Sequence, residues 1–103
     1  MTTQRIMAEL EALGTAQNRK IYGRHGVPEP MFGVSFGNLG KLRRKVGTDH
    51  ALAEQLWDSG NHDARVLATM IADVERFGAR QLDGWSRQLD SYVIADAFAT
   101  MLV

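Results

Sequence analysis

The residue best suited to chemistry in this sequence is Asp96, a single carboxylate within the apolar stretch from Ser91 to Val103. Tyr92 lies four residues earlier, so a helix would place its ring and the carboxylate on one face. Ser91 is a good N-cap and neither Pro nor Gly follows it, which predicts that helix. Two roles are open for the acid. It is either buried and satisfied by a backbone N–H or an arginine, or it lies in the wall of a cleft beside an aromatic ring.

Positive charge is concentrated in one part of the chain. Between residues 17 and 47 the only acid is Glu29, whereas from residue 48 onward nine acids stand against four bases. The basic residues of this segment are Arg19, Lys20, Arg24, Lys41, Arg43, Arg44 and Lys45. They form either the solvated face of a helix or a patch that binds phosphates.

The composition excludes several kinds of site. The sequence lacks cysteine, which removes disulfides, thiolate nucleophiles and cysteine-based metal sites. His25, His50 and His62 are scattered without a second ligand at metal-binding spacing, so we expect surface or capping histidines, no metal and no cofactor. No apolar run approaches the roughly 18 residues of a membrane span, and the N-terminus lacks a signal-peptide core. We therefore expect a cytoplasmic protein without a membrane partner.

Apolar residues recur at spacings of three and four, and no segment alternates with period two, which predicts helices and no strand. The segment Val27-Pro28-Glu29-Pro30 cannot continue a helix and forms the one long loop. Six or seven short helices with short connections predict an all-α fold of stacked antiparallel helix pairs. The predicted helices run from Thr2 or Thr3 to Gly14, from about Thr15 to an end near Gly23 to Gly26, from Ser35 to Gly47, from Thr48-Asp49 to Ser59-Gly60, from Asn61 to Gly78, from about Ala79 to Leu89, and from Ser91 onward.

The same pattern predicts which residues face the core. Phe36 begins the apolar repeat of the third helix, Val74 closes that of the fifth, and Asp63 suits the positive end of the fifth helix dipole. The sixth helix is expected to bury Leu82, Trp85 and Leu89. Gly37 and Gly40 weaken the third helix by about 1 kcal/mol each relative to Ala. They indicate either close packing against a neighbouring element or close approach of the backbone to a ligand.

An ordered set of motifs resembles a known family. The motifs are Tyr22, Phe32-Gly33-Val34-Ser35, Leu39-Gly40-Lys41-Leu42, Leu56-Trp57-Asp58-Ser59 and the segment from Asp90 to Asp96. In order and spacing they resemble the AlkD-like family of DNA alkylation repair proteins. The resemblance implies HEAT-like helical repeats that curve round double-stranded DNA, excision of purines alkylated at N3 or N7, and association with the nucleoid. It also implies that residues 1–103 form a single domain, the N-terminal part of a longer fold.

Carried over residue by residue, the resemblance implies that Asp96 is the catalytic aspartate and that Tyr22 and Tyr92 contact the lesion and its sugar. Tyr92 stands where the best-known members have tryptophan, and Gly37 and Gly40 stand where the family usually has Pro and Arg. An N3- or N7-alkylated purine is already cationic and leaves without a general acid. One carboxylate that stabilises the oxocarbenium-like sugar therefore suffices. The seven basic residues named above would hold DNA phosphates.

Two functions stay open on the sequence. The chain is part of a glycosylase-like DNA-binding protein, expected to show little excision alone because half of the expected cleft is absent, or it is a non-catalytic HEAT-like module that binds protein through its last helix. The apolar side chains of that helix cannot all face inward, so we expect a homodimer through residues 91–103. Phe98→Glu or Leu102→Glu should then dissociate it.

Overall fold

The computed structural model describes residues 2–89 and 91–102, apart from the side chain of Tyr92. Over these residues it contains seven α-helices and no strand. The helices are α1 (Thr3–Leu13), α2 (Ala16–Arg24), α3 (Phe36–Val46), α4 (His50–Asp58), α5 (His62–Ile71), α6 (Ala79–Ser86) and α7 (Tyr92–Leu102), with one 3₁₀ turn (Val74–Arg76) between α5 and α6. The predicted all-α fold of six or seven short helices is confirmed.

Side-chain caps begin the helices where the sequence predicts them. The Ser35 hydroxyl accepts the backbone N–H of Asn38 at 3.2 Å at the start of α3. Asp49 and Asn61 cap α4 and α5 in the same way, at 3.0 and 3.2 Å. Each such cap stabilises a helix by about 1 kcal/mol. Gly47, with a φ of +75°, ends α3.

Helix α5 is the centre of the core and packs against α1, α3, α4 and α7. Its apolar residues Val66, Leu67 and Ile71 are essentially inaccessible to solvent. Helix α7 contributes Ile94 and Phe98 to the same core. Burial of each of these side chains is worth about 1.5 to 3 kcal/mol. The core therefore fixes α3 and α7 against one central helix.

An aromatic stack attaches α6 to this core. The rings of Trp57 and Trp85 lie 4.2 Å apart and nearly parallel, and Phe77 meets Trp85 edge-on at 4.8 Å. The indole N–H of Trp57 donates to Gln88 at 2.8 Å. Trp85 is buried as predicted, whereas the predicted core residues of α6, Leu82 and Leu89, are only half-buried.

The predicted end of the fifth helix was wrong. Helix α5 stops at Ile71 rather than near Gly78, and Ala72 is extended. The freed carbonyl of Ile71 accepts the backbone N–H of Asp49 at 2.8 Å, so the start of α4 closes the end of α5. Val74 therefore falls in the 3₁₀ turn and is 42% exposed instead of buried.

Two further expectations about burial differ from the structure. His50 and His62 were expected to be surface or capping histidines, and neither lies at the surface, since each is only 5% exposed. His50 is buried because both ring nitrogens are used: Nδ1 accepts the backbone N–H of Asp73, and Nε2 lies 3.0 Å from Oε1 of Gln81. Phe36 is 52% exposed because Leu39 and Leu42 form the core side of α3.

Every helix within the described ranges falls short of the length and apolar character that a membrane crossing requires.

Candidate functional site

A cleft of about 970 Å³ opens between α2, α3, the end of α5 and α7. It is lined by Tyr22 from α2, Arg43 from α3 and Asp96 from α7, together with His25, three threonines and apolar side chains. Three residues that the sequence singled out from separate segments therefore meet at one concave surface. The cleft contains an acid, a cation and a phenol, which is a set able to bind a ligand with both polar and flat apolar parts.

Asp96 lies at the surface of the cleft and is exposed. In the part of the chain that the structure describes, no hydrogen bond or ion pair reaches its carboxylate. The alternative of a buried, internally satisfied acid is therefore wrong. It fails because α7 directs Ile94 and Phe98 into the core, while Asp96, Val93 and Ala97 line the cleft on another face of the same helix.

The Tyr92 side chain, predicted to lie beside Asp96, falls outside the described residues. Its backbone forms the first residue of α7.

Tyr22 is held at the cleft by a hydrogen bond from its phenol to the backbone carbonyl of Val34, at 2.7 Å. Its ring also meets that of His62, with the centroids 5.8 Å apart. Partial burial, and secondarily the negative charge of Asp63, raises the pKa of the Tyr22 phenol above its ordinary value. The phenol is therefore a neutral hydrogen-bond donor at physiological pH.

The anchor of Tyr22 depends on Asp63, which the sequence suggested only as a dipole partner. The Asp63 carboxylate is buried and accepts three backbone N–H groups, from Phe32 at 2.6 Å, Gly33 at 3.1 Å and Val34 at 2.9 Å. It thus fixes the loop whose Val34 carbonyl holds Tyr22. No local pattern shows this role, because the three donors lie about thirty residues earlier in the chain.

Gly33 completes the same loop. Its φ is +79°, and a Cβ there would lie 2.7 Å from both the Thr15 carbonyl oxygen and the Arg19 backbone nitrogen. Only glycine fits this combination of conformation and close approach. The motif Phe32-Gly33-Val34-Ser35 is therefore a structural clamp between α2, α3 and α5.

The predicted basic segment divides into paired and unpaired cations. Arg19 forms an ion pair with Glu29 at 2.8 Å, and Lys45 forms one with Glu9 at 2.7 Å. The hydrogen bond from Arg19, followed by that from the Met31 N–H, lowers the pKa of Glu29. Both pairs lie at the surface, where such pairs are weak, although the Glu9 side chain is half-buried. Among the described residues, no ion pair engages Lys20, Arg24, Lys41, Arg43 or Arg44.

Arg43 is the member of that segment that lines the cleft, and Arg44 joins it around a smaller hollow beside Thr48. Gly40 lies between Phe36 and Arg43 on the cleft side of α3. A Cβ at Gly40 would meet nothing within 4 Å, so of the two alternatives for this glycine, close packing against a neighbouring element is wrong.

Metal binding finds no support in the described ranges, where no group of three or more His, Asp or Glu residues is arranged to hold an ion.

Sequence comparison relates this chain to proteins of DNA repair. The sequence model of a family described as DNA alkylation repair enzyme matches residues 6–103. Uncharacterised proteins of Listeria innocua serovar 6a and Listeria monocytogenes serovar 1/2a are each 29% identical to this chain over 90 residues, which is 84% of this chain and 40% of each relative.

A solved structure superposes on this chain with a TM-score of 0.93 and 36% sequence identity, covering 99% of this chain and 44% of that one. It is described as representing a new family of proteins related to the HEAT-like repeat DNA glycosylases, with affinity for branched DNA structures. The superposition confirms the HEAT-like arrangement of helices. This chain spans less than half the length of the relatives it matches.

Proposed function

This chain belongs to the DNA alkylation repair enzyme family, and on that premise we propose that it binds double-stranded DNA and supplies part of a cleft that excises purines alkylated at N3 or N7. The observation that carries the proposal is the exposed carboxylate of Asp96 in the cleft, which Tyr22 and Arg43 also line. An exposed acid with no partner among the described residues is available to act on a ligand.

The proposed chemistry needs one carboxylate. The bond between C1′ of the sugar and the purine nitrogen breaks, and its electron pair leaves with the base, which becomes neutral because it carried the positive charge of alkylation. The remaining sugar resembles an oxocarbenium ion, whose positive charge the Asp96 carboxylate stabilises. Water then adds to C1′ and gives up a proton to Asp96 or to solvent. No general acid is required.

The aromatic and cationic residues would position the DNA. Tyr22 would contact the lesion or its sugar, and its phenol stays neutral because its pKa is raised. Arg43 and the exposed cations Lys20, Arg24, Lys41 and Arg44 would bind phosphates without reading the sequence. Arg19 and Lys45 would first have to leave Glu29 and Glu9, which costs little because exposed ion pairs are weak.

The test separates catalysis from binding and uses the full-length protein in which this chain occurs. Asp96→Asn should lower the release of 7-methylguanine from duplex DNA by about 100-fold or more, since a stabilising group aimed at transition-state charge is lost. DNA affinity should stay unchanged. Asp58→Asn is the matched control, because Asp58 is exposed on α4 and away from the cleft. Equal loss of excision and affinity would instead assign Asp96 a structural role.

A second candidate is the binding of branched DNA without excision. It is favoured by the 36% identity to a protein from a family described as having affinity for branched DNA structures. In that case the full-length protein would bind a four-way junction more tightly than a duplex, and Asp96→Asn would change neither affinity.

Under either function, this chain alone is expected to release 7-methylguanine no faster than spontaneous loss.

A further inference from the structure

One face of α3 presents three different surfaces to the cleft. Phe36, Gly40 and Arg43 are spaced by four and three residues, so they share a face, and they span about 10 Å along the helix axis. All three line the cleft. The order along the face is an aromatic ring, a stretch of bare helix backbone and a guanidinium group.

The ring of Phe36 belongs to a larger exposed apolar surface. The described part of the chain leaves four large hydrophobic side chains exposed, and three of them, Ile21, Phe36 and Val74, line this cleft. Single exposed apolar residues are ordinary, whereas several that gather in one concave surface indicate a binding site. We therefore expect the ligand of this cleft to have an apolar face, which loses its contact with water when the ligand binds.

Charge defines the rest of the occupant. Arg43 lies on the α3 side of the cleft and Asp96 on the α7 side. An anionic group is attracted to the former and repelled by the latter. Lys20, Arg24, Lys41 and Arg44, which form no ion pair among the described residues, add positive charge to α2 and α3. A ligand with a flat apolar ring at one end and a phosphate at the other matches this polarity, which describes a nucleotide whose base is not stacked in a duplex.

We propose that Phe36, Gly40 and Arg43 form a subsite for one unpaired nucleotide of DNA. The base stacks on Phe36, the sugar–phosphate backbone passes over the open surface at Gly40, and the phosphate binds Arg43. The subsite rests on the proposed DNA-binding function and extends it to a substrate class: duplexes that carry an unpaired base, as at a bulge or a branch point. A base inside a continuous duplex cannot offer its face to Phe36.

The test compares two DNAs that differ only in one unpaired base. One is a duplex with a single bulged 2-aminopurine, and the other is the same duplex fully paired. The chain should bind the bulged DNA more tightly and should change the fluorescence of the 2-aminopurine. Phe36→Ala should weaken binding of the bulged DNA by about 5- to 150-fold, the range that stacking of one base on an aromatic ring supports. Binding of the paired duplex should not change.

Two variant pairs separate the subsite from the fold. Phe36→Tyr keeps the ring and should keep the preference for bulged DNA. Gly40→Leu should abolish that preference without disturbing the helix, because a Cβ at Gly40 meets no protein atom within 4 Å. Gly37→Leu is the matched control, since Gly37 lies in the same helix but does not line the cleft. Circular dichroism checks that all four variants fold.

The proposal is overturned if bulged and paired DNA bind equally, if Phe36→Ala weakens both to the same extent, or if Gly40→Leu and Gly37→Leu behave alike. If wild type binds neither DNA, the proposed DNA-binding function fails as well, and the paired duplex reveals that case. Binding of paired DNA without a preference for the bulge would remove the subsite alone.

Discussion

Two carboxylates in this molecule occupy contrasting surroundings. Asp63, at the start of α5, is 1% exposed and accepts three backbone N–H groups from the loop before α3. Asp96, in the middle of α7, is exposed to the cleft, and its carboxylate has no hydrogen-bond partner among the described residues. The first acid acts on the protein itself, and the second is free to act on a ligand. Burial and partners, rather than residue type, decide between the two roles.

The largest expected effect follows from exchanging each acid for alanine. Asp63→Ala leaves three N–H groups, two buried and one half-buried, without an acceptor and should lower the free energy of unfolding by about 3 to 5 kcal/mol. Asp96→Ala removes an exposed group and should change it by less than about 0.5 kcal/mol. Urea unfolding followed by circular dichroism measures both. Similar losses for the two variants would contradict the different roles of the two carboxylates.

The sequence predicts the fold more fully than the site. The caps at Ser35, Asp49 and Asn61 and the helical spacing of the core depend on neighbours in the chain, so a local pattern is enough to find them. The role of Asp63 depends on amides about thirty residues away, and the end of α5 depends on Asp49. Such contacts form only in the folded chain and leave no periodic signal.

The same limit explains why the sequence leaves two roles open for Asp96. An acid among apolar residues, as Asp96 is, suggests burial when only the sequence is considered. The structure shows that the apolar neighbours divide between two faces of α7, with Ile94 and Phe98 in the core and Asp96 at the cleft. The ordered motifs of the family resemblance paired Asp96 with Tyr22, and the charge asymmetry of residues 17–47 pointed to Arg43, whereas no spacing within the chain links the three residues.

The next largest effect distinguishes the buried and the exposed face of α7. Phe98 is 7% exposed and Leu102 is 45% exposed. Phe98→Glu therefore puts a charge into the core and should destabilise the fold by about 3 kcal/mol or more, so it cannot serve as a probe of association as first expected. Leu102→Glu should leave stability within about 0.5 kcal/mol. It remains the clean probe of the predicted homodimer.

Light scattering at micromolar concentration tests that homodimer. The wild-type chain should scatter as a species larger than the monomer, and Leu102→Glu should reduce it to a monomer. Ala51→Glu is the matched control, because Ala51 is exposed on α4, outside both the cleft and residues 91–103. A wild-type monomer throughout that range would remove the dimer and, with it, the support for a protein-binding module.

The smallest effect concerns Tyr22, which lines the cleft and senses the buried acid. Its pKa is raised first by its own burial and then by the charge of Asp63. The raised pKa has a defined sign for stability. The neutral phenol is favoured in the folded chain, so its contribution to stability is fully present below the unfolded pKa of about 10 and is lost as the pH rises through the higher folded pKa.

Tyr92→Phe leaves Tyr22 as the one tyrosine of the sequence. Absorbance at 295 nm should then show ionisation above the pKa of the same variant in urea, and Asp63→Asn should move it part of the way back, because burial remains. Ionisation at equal pH in the folded and urea-unfolded variant would contradict the coupling between the buried acid and the cleft.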